Sequence, residues 1–222
     1  QSRLEGCIFN FANGYGGIVY IVDSSPTIKG CTFDKCGASC GIFIQKGSPI
    51  IQDNTINRFS SYGIYVEGSA TPTVTGNTIT NNLYGIYVNG GGTYQSNTIK
   101  NNSNYGLYYT GTIVIDATHC NWGDPSGPYD PSDDRGTGGL YNPYGKGDRV
   151  SDHVMYDLMG YQPVPGDVNH DGVVDLVDTV LSLQVLTGRM PAEPVYADAD
   201  INNDGRLGMA EAIYAMQKAA GL

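Results

Sequence analysis

Gly63-Ile64-Tyr65-Val66 and Gly85-Ile86-Tyr87-Val88, one repeat apart, decide how the first half of this chain folds. The pattern stands earlier as Gly17-Ile18-Val19-Tyr20-Ile21 and Gly41-Ile42-Phe43-Ile44, and later as Gly106-Leu107-Tyr108-Tyr109. The first apolar residues of these copies are 24, 22, 22 and 21 positions apart. A second series keeps step: Gly6-Cys7-Ile8-Phe9, Gly30-Cys31-Thr32-Phe33, Asp53-Asn54-Thr55-Ile56, Gly76-Asn77-Thr78-Ile79 and Ser96-Asn97-Thr98-Ile99. A looser third is Pro26-Thr27-Ile28, Pro49-Ile50-Ile51 and Pro72-Thr73-Val74. Each period thus carries three short β segments separated by turn residues. Alternation puts Ile64 and Val66 on one face and Tyr65 on the other. Strands this short cannot bury a face alone, whereas stacked turns share one continuous core.

The repeat resembles the right-handed parallel β-helix family over about residues 5–122. The resemblance implies that Asn54, Asn77 and Asn97 stack as a ladder at one corner, each amide bonding its neighbour's backbone. Cys7 and Cys31 would hold that corner in the first coils. Asn121-Trp122-Gly123-Asp124-Pro125-Ser126-Gly127-Pro128 and Asn142-Pro143-Tyr144-Gly145-Lys146-Gly147-Asp148-Arg149-Val150-Ser151-Asp152 resemble the closing segment of secreted bacterial and archaeal β-helix proteins. Trp122 is expected to plug the core, with residues 123–160 as a wrapping loop rich in turn residues. Before Glu5 only Gln1-Ser2-Arg3-Leu4 remain, too short to cap a coil. Upstream sequence, a neighbour's closing segment or the folded tail is expected to cover that edge. No leader peptide is visible ahead of Gln1, so a leader is expected to have been removed or trimmed.

After the joint Gln162-Pro163-Val164-Pro165-Gly166 the pattern changes. Residues 167–178 place oxygen-bearing side chains at loop positions 1, 3, 5, 9 and 12: Asp167, Asn169, Asp171, Asp175 and Asp178. Gly172 falls at position 6, where the chain must turn sharply. Calcium takes about six to eight hard oxygen ligands, and this spacing wraps them round one point. Residues 200–211 repeat it through Asp200, Asn202, Asp204 and Glu211, with Gly208 at position 9 leaving a vertex for water. Val173 and Arg206 are expected to give backbone carbonyls only. Two calcium ions are therefore expected, the second held more weakly.

Each loop runs into an apolar helix, with Leu176, Val180, Leu183 and Leu186 on one stripe. Met209, Ile213, Met216 and Ala219 take the equivalent places, and Gly188 and Gly221 end the helices. This duplicated loop-helix unit resembles a dockerin domain over residues 166–222. The resemblance implies a cohesin-like partner gripped at the start of each helix, often through Ser or Thr at positions 10 and 11. Here Leu176-Val177 and Met209-Ala210 stand there instead, which suits an apolar contact with a partner, the chain's own coils or a neighbouring copy.

Composition narrows the function. The net charge is −10, and residues 166–222 carry nine acids against three bases. A basic footprint is missing, which argues against nucleic acid, and no apolar run is long enough to span a membrane. Five cysteines (Cys7, Cys31, Cys36, Cys40 and Cys120) are an odd set without zinc spacing, read as mainly structural with room for one or two bridges.

A polysaccharide lyase or hydrolase needs carboxylates aligned on neighbouring coils. Glu5, Asp23, Asp34, Asp53, Glu67 and Asp116 fall at different offsets, and His119, His153 and His170 are scattered. What aligns is aromatic: Phe43, Tyr65, Tyr87 and Tyr108 are expected in an outward file, about 4.8 Å apart, able to stack on sugar rings or on one another.

The chain therefore reads as mainly β: a right-handed parallel β-helix with closing segment (1–160), a linker (161–166) and a small α-helical dockerin-like calcium-binding domain (167–222). The expected role is a non-catalytic structural and interaction module in an assembly, extracellular or at the cell surface. The alternatives are a self-assembling filament or surface-layer subunit, and a polysaccharide-binding or polysaccharide-degrading fragment of a secreted enzyme.

Overall fold

The structure is a computed structural model describing residues 2–10, 17–34, 38–157, 164–191, 193, 195–202 and 204–222. Cys36 and the linker residues 161–163 lie outside this set. Contacts divide the chain into two units, Gln1–Gly160 and Tyr161–Leu222.

In the first unit each β segment pairs in parallel with its counterpart one period away. One sheet stacks Arg3–Glu5, Thr27–Lys29, Ile50–Gln52 and Thr73–Thr75; a second stacks Ile8–Asn10, Thr32–Asp34, Thr55–Asn57, Thr78–Thr80 and Thr98–Lys100. The third contains Gly17–Ile21, Cys40–Ile44, Tyr62–Glu67, Tyr84–Asn89 and Tyr105–Tyr109. The first coil starts earlier than the sequence reading placed it. Arg3–Glu5 pairs with Thr27–Lys29, and Thr27 N–H donates to Ser2 O over 3.0 Å. Ser2 stands where later coils carry proline, which hid the element.

Register places like on like. Ile28, Ile51 and Val74 align in the first sheet, Phe33, Ile56, Ile79 and Ile99 in the second, and Ile42, Ile64, Ile86 and Leu107 in the third. All are buried in one continuous core. The repeat glycines have a steric cause. A Cβ on Gly41, Gly63 or Gly85 would come within 2.7, 2.6 or 2.5 Å of the carbonyl oxygen of the next coil's glycine.

Two corners are built alike. At the first, a residue of positive φ (Gly6, Gly30, Asp53, Gly76, Ser96, His119) turns the chain and presents the next side chain inward. Asn54 Oδ1 accepts from Cys31 N–H, Asn77 Oδ1 from Asn54 N–H, and Asn97 Oδ1 from Asn77 N–H, each over 2.9 Å. Asn77 Nδ2 donates to Ile51 O over 2.8 Å, and Cys120 Sγ ends the series beside Asn97 N–H at 3.4 Å. The second corner is a ladder that the sequence reading missed. Asn82 Oδ1 accepts from Phe59 N–H, Asn102 Oδ1 from Asn82 N–H, and Asp148 Oδ2 from both Asn102 N–H and Asn102 Nδ2.

Residues 123–157 are not simply a loop; 158–160 lie outside the described residues. Pro128–Tyr129 pairs with Gly147–Arg149, Val154–Met155 pairs with Ile115–Asp116, and Val150 bridges Leu107. The last full coil leaves backbone donors and acceptors open, and these segments satisfy them. Trp122 is 1% exposed within the core, as a plug would be.

The second unit holds α1 (Leu176–Leu186) and α2 (Met209–Ala219). Asp175 caps α1 by accepting from Val177 N–H, while Asp178 accepts from Asp175 N–H. The apolar stripe read from the sequence is turned mostly outward: Leu176, Val180, Leu186, Met209, Ile213 and Met216 are exposed, and Leu183 is half-buried. The helices bury a different face, Thr179, Leu181 and Ser182 on α1 and Ala212 and Ala215 on α2, and Thr179 Oγ1 donates to Ala212 O over 3.4 Å. Small side chains let the two backbones come close, which the bulkier stripe would prevent.

The ladder carries a prediction. Asn77→Ala takes the acceptor from the buried Asn54 N–H and a donor from the buried Ile51 O, and is expected to cost about 1–3 kcal/mol. Exposed Lys100→Ala should change urea midpoints little, and equal, negligible effects would contradict the corner's role.

Candidate functional site

Three regions gather functional groups: the paired loops of the second unit, the aromatic face of the third sheet, and the closing segment.

The loops share a set of equivalent bonds. Gly172 N–H donates to Asp167 over 2.9 Å, as Gly205 N–H does to Asp200 over 2.7 Å. Val168 N–H reaches Asp178 as Ile201 N–H reaches Glu211, and Val173 N–H reaches Asp171 as Arg206 N–H reaches Asp204. Asn169 and Asn202 accept from Asp171 N–H and Asp204 N–H. Gly172 and Gly205 hold φ values of 88° and 78°, the sharp turn expected at position 6.

Asp167, Asp178 and Glu211 are 0%, 0% and 1% exposed, and among the described residues no lysine, arginine or histidine pairs with them. Burial first, then the neighbouring charges of Asp178 and Asp171, push Asp167 up to about 6; burial likewise raises Asp178. Buried like charges are costly without a proton or a cation among them. Among the described residues no three Asp, Glu, His or Cys side chains converge on one point. The loop carboxylates point at backbone N–H groups. By chemistry the donor set fits a hard cation: only oxygens, net negative and partly desolvated. Asp175 is half-buried at the α1 cap, and Leu176, Val177 and Met209 are exposed beside half-buried Ala210.

On the third sheet Tyr20, Phe43, Tyr65, Tyr87 and Tyr108 form a file with centroid spacings of 4.5, 4.9, 5.1 and 5.2 Å. A second file, Tyr62, Tyr84 and Tyr105, interleaves with it at 5.4 and 6.0 Å. Its signal was available, since each of these tyrosines directly precedes a repeat glycine. Arg149 lies over the Tyr105 ring at 4.5 Å and bounds a recess of about 390 Å³ with Tyr108, Ser132, Ser151 and His153.

The coil acids do not pair with one another. In the ladders Glu5 neighbours Lys29, Asp34 lies between Asn10 and Asn57, Glu67 meets Asn89, and Asp116 meets Met155. Asp23 bonds Lys46, Asp53 bonds Lys29, and Asp34 takes both Nε and Nη2 of Arg58.

In the closing segment Asp124 caps Ser126 and Asp133 pairs with Arg135. Asp130 is buried and accepts from Tyr156 O–H over 3.0 Å, while Oδ1 of Asp130 and of Asp134 have no donor among the described residues. Burial, with the Asp134 and Asp152 charges, pushes the Asp130 carboxyl up to about 7.

The sequence model of the right handed beta helix region matches residues 1–121. No curated protein and no solved structure matches the chain.

Asp130 sets a pH dependence. Its folded value lies above the ordinary 3.8, so the folded state holds a proton that the unfolded state releases. Its contribution is full below about pH 4 and is lost as pH rises through about 7. Asp130→Asn keeps the group neutral and should flatten this fall relative to the parent, seen as urea midpoints at pH 4, 6 and 8. Parallel pH curves for the two chains would show that Asp130 ionises normally.

Proposed function

The chain belongs to the right-handed β-helix family, and from that premise we propose that it is a non-catalytic interaction module of an extracellular or cell-surface assembly. In this reading the coils are a rigid body and residues 167–222 are a dockerin-like docking unit folded by two calcium ions. One observation carries it: the loops bury Asp167, Asp178 and Glu211 with no cationic partner among the described residues, while the helices they lead into expose Leu176, Val177 and Met209. A metal that replaces protons among such carboxylates makes its binding energy part of the folding energy. Asp167, Asn169, Asp171, Asp175 and Asp178 would hold the first ion with the Val173 carbonyl. Asp200, Asn202, Asp204 and Glu211 would hold the second with the Arg206 carbonyl. The exposed apolar residues suit a cohesin-like protein or a second copy of the chain, because an apolar patch at an interface gains most by leaving water.

A second reading, polysaccharide held along Phe43, Tyr65, Tyr87 and Tyr108, is favoured by the doubled aromatic files ending at Arg149. A carbohydrate array separates it from protein docking.

Calorimetry of the full chain should count two calcium ions, the Gly208-containing site weaker. Asp167→Ala with Asp200→Ala should remove the helical signal of the second unit and leave the coils folded. Helicity that survives excess chelator unchanged would refute calcium-dependent folding. Leu176→Asp should abolish any calcium-dependent association seen by light scattering, with calcium binding retained. A parent chain that stays monomeric and binds no protein partner at saturating calcium would refute the docking role.

A further inference from the structure

The corner ladder changes chemistry at its first rungs. From Asn54 onward an amide links each coil to the one before it, accepting that coil's corner N–H and donating to a carbonyl. Between the first and second coils the corner pair is Cys7 and Cys31. The preceding glycines share φ values of 63° and 61°, and Thr32 N–H donates to Cys7 O over 2.8 Å, so the two residues lie in register.

Both thiols adopt the same disposition. Cys7 Sγ–H donates to Glu5 O over 3.5 Å and Cys31 Sγ–H to Lys29 O over 3.4 Å, each two residues back. Cys31 Sγ also reaches Leu4 O of the first coil at 3.6 Å and lies beside both the N–H and the thiol of Cys7. Adjacent strands stand about 4.8 Å apart, and a disulfide spans Cα separations of about 4.4–6.8 Å. Cys120, the last rung, is beside Asn97 and not another cysteine. Cys40, a third-sheet residue in register with Gly17 and Tyr62, turns its Sγ–H onto Ile42 O.

We propose that Cys7 and Cys31 form a disulfide that staples the first coil to the second. It supplies the link between coils that a thiol, a poor hydrogen-bonding group, cannot. Leu4, Cys7 and Phe9 are only partly buried against the core, so a covalent link there would add to packing that is looser than in the later coils.

The oxidant is a small-molecule disulfide of the glutathione class. The thiolate of Cys7, the more accessible residue, attacks one sulfur of that disulfide and expels a thiolate, leaving a mixed disulfide on Cys7. Cys31, whose thiol is raised by burial, loses its proton and attacks the Cys7 sulfur, expelling the second small thiolate. The two protein protons end on the two released thiols, and two electrons pass to the oxidant.

The full chain is equilibrated in glutathione redox buffer, acid-quenched, alkylated and cleaved with trypsin. Cleavage after Arg3, Lys29, Lys35 and Lys46 puts Cys7 in residues 4–29, Cys31 in 30–35, and Cys36 with Cys40 in 36–46. The expected product is 4–29 joined to 30–35, with the chain lighter by two hydrogens. Oxidation should raise the coils' thermal midpoint by several degrees, a rise lost in Cys7→Ser and in Cys31→Ser but kept in Cys36→Ser. Matching far-ultraviolet spectra of the reduced forms establish that the variants fold. Linkage of either peptide to 36–46, glutathione retained on both cysteines, or free Cys7 and Cys31 in oxidising buffer would overturn the proposal.

Discussion

Everything in the first unit follows from hydrogen bonding each coil to the next in parallel register. Strands joined this way stand a fixed distance apart, so every side chain meets its own counterpart from the neighbouring coil. An apolar position stacks into a continuous core, as Ile42, Ile64, Ile86 and Leu107 do. A buried polar position must satisfy its copies, and an amide can, because it both donates and accepts. A charged position cannot repeat without repulsion. Accordingly Glu5 meets Lys29, and Asp34 lies between asparagines with Arg58 on it.

The same constraint makes the ends the difficult places, and both ladders finish on a residue that is not asparagine. Asp148, arriving from the closing segment, accepts from the last asparagine's N–H and amide together, and the next coil is absent, so an acceptor-only group suffices. Burial raises the Asp148 carboxyl, opposed by those donated bonds. Placing Asp148 there also sets Arg149 on Tyr105 and Val150 on Leu107, so one corner bond fixes the residues that bound the aromatic recess.

Periodicity explains what could be read in advance. The Gly-Ile-Tyr-Val copies, the Asn54 ladder and the outward file all recur at nearly one spacing, and the structure has each of them. Asn82 and Asn102 recur too, but each follows another asparagine (Asn81, Asn101) within a turn where such residues look ordinary. Their positive-φ neighbours are what turn them inward. The strands at Gly147–Arg149 and Val154–Met155 have no copies, so only their pairing partners define them. In the second unit a helical stripe marked an apolar face but could not say whether it met the other helix or water. Packing chose Thr179, Ser182, Ala212 and Ala215, because close helices need small contacts.

That choice bears on how the second unit holds together. Its buried apolar cluster is Val168, Leu181 and Ala199, with Val195 and Leu207 partly buried against it, whereas the coils share a cluster many times larger. Small units with so little core usually need a staple or a metal. Here most of the large apolar side chains are on the surface, and the most buried polar ones are Ser182 and the acids Asp167, Asp178 and Glu211. Hydrophobic burial is therefore weak where electrostatic cost is high. A bound cation would reverse the sign of the second term, turning the carboxylates from a cost into the unit's main support, and would leave the apolar stripe free for a partner. Docking and metal binding, as proposed here, would in this way be two consequences of one packing decision.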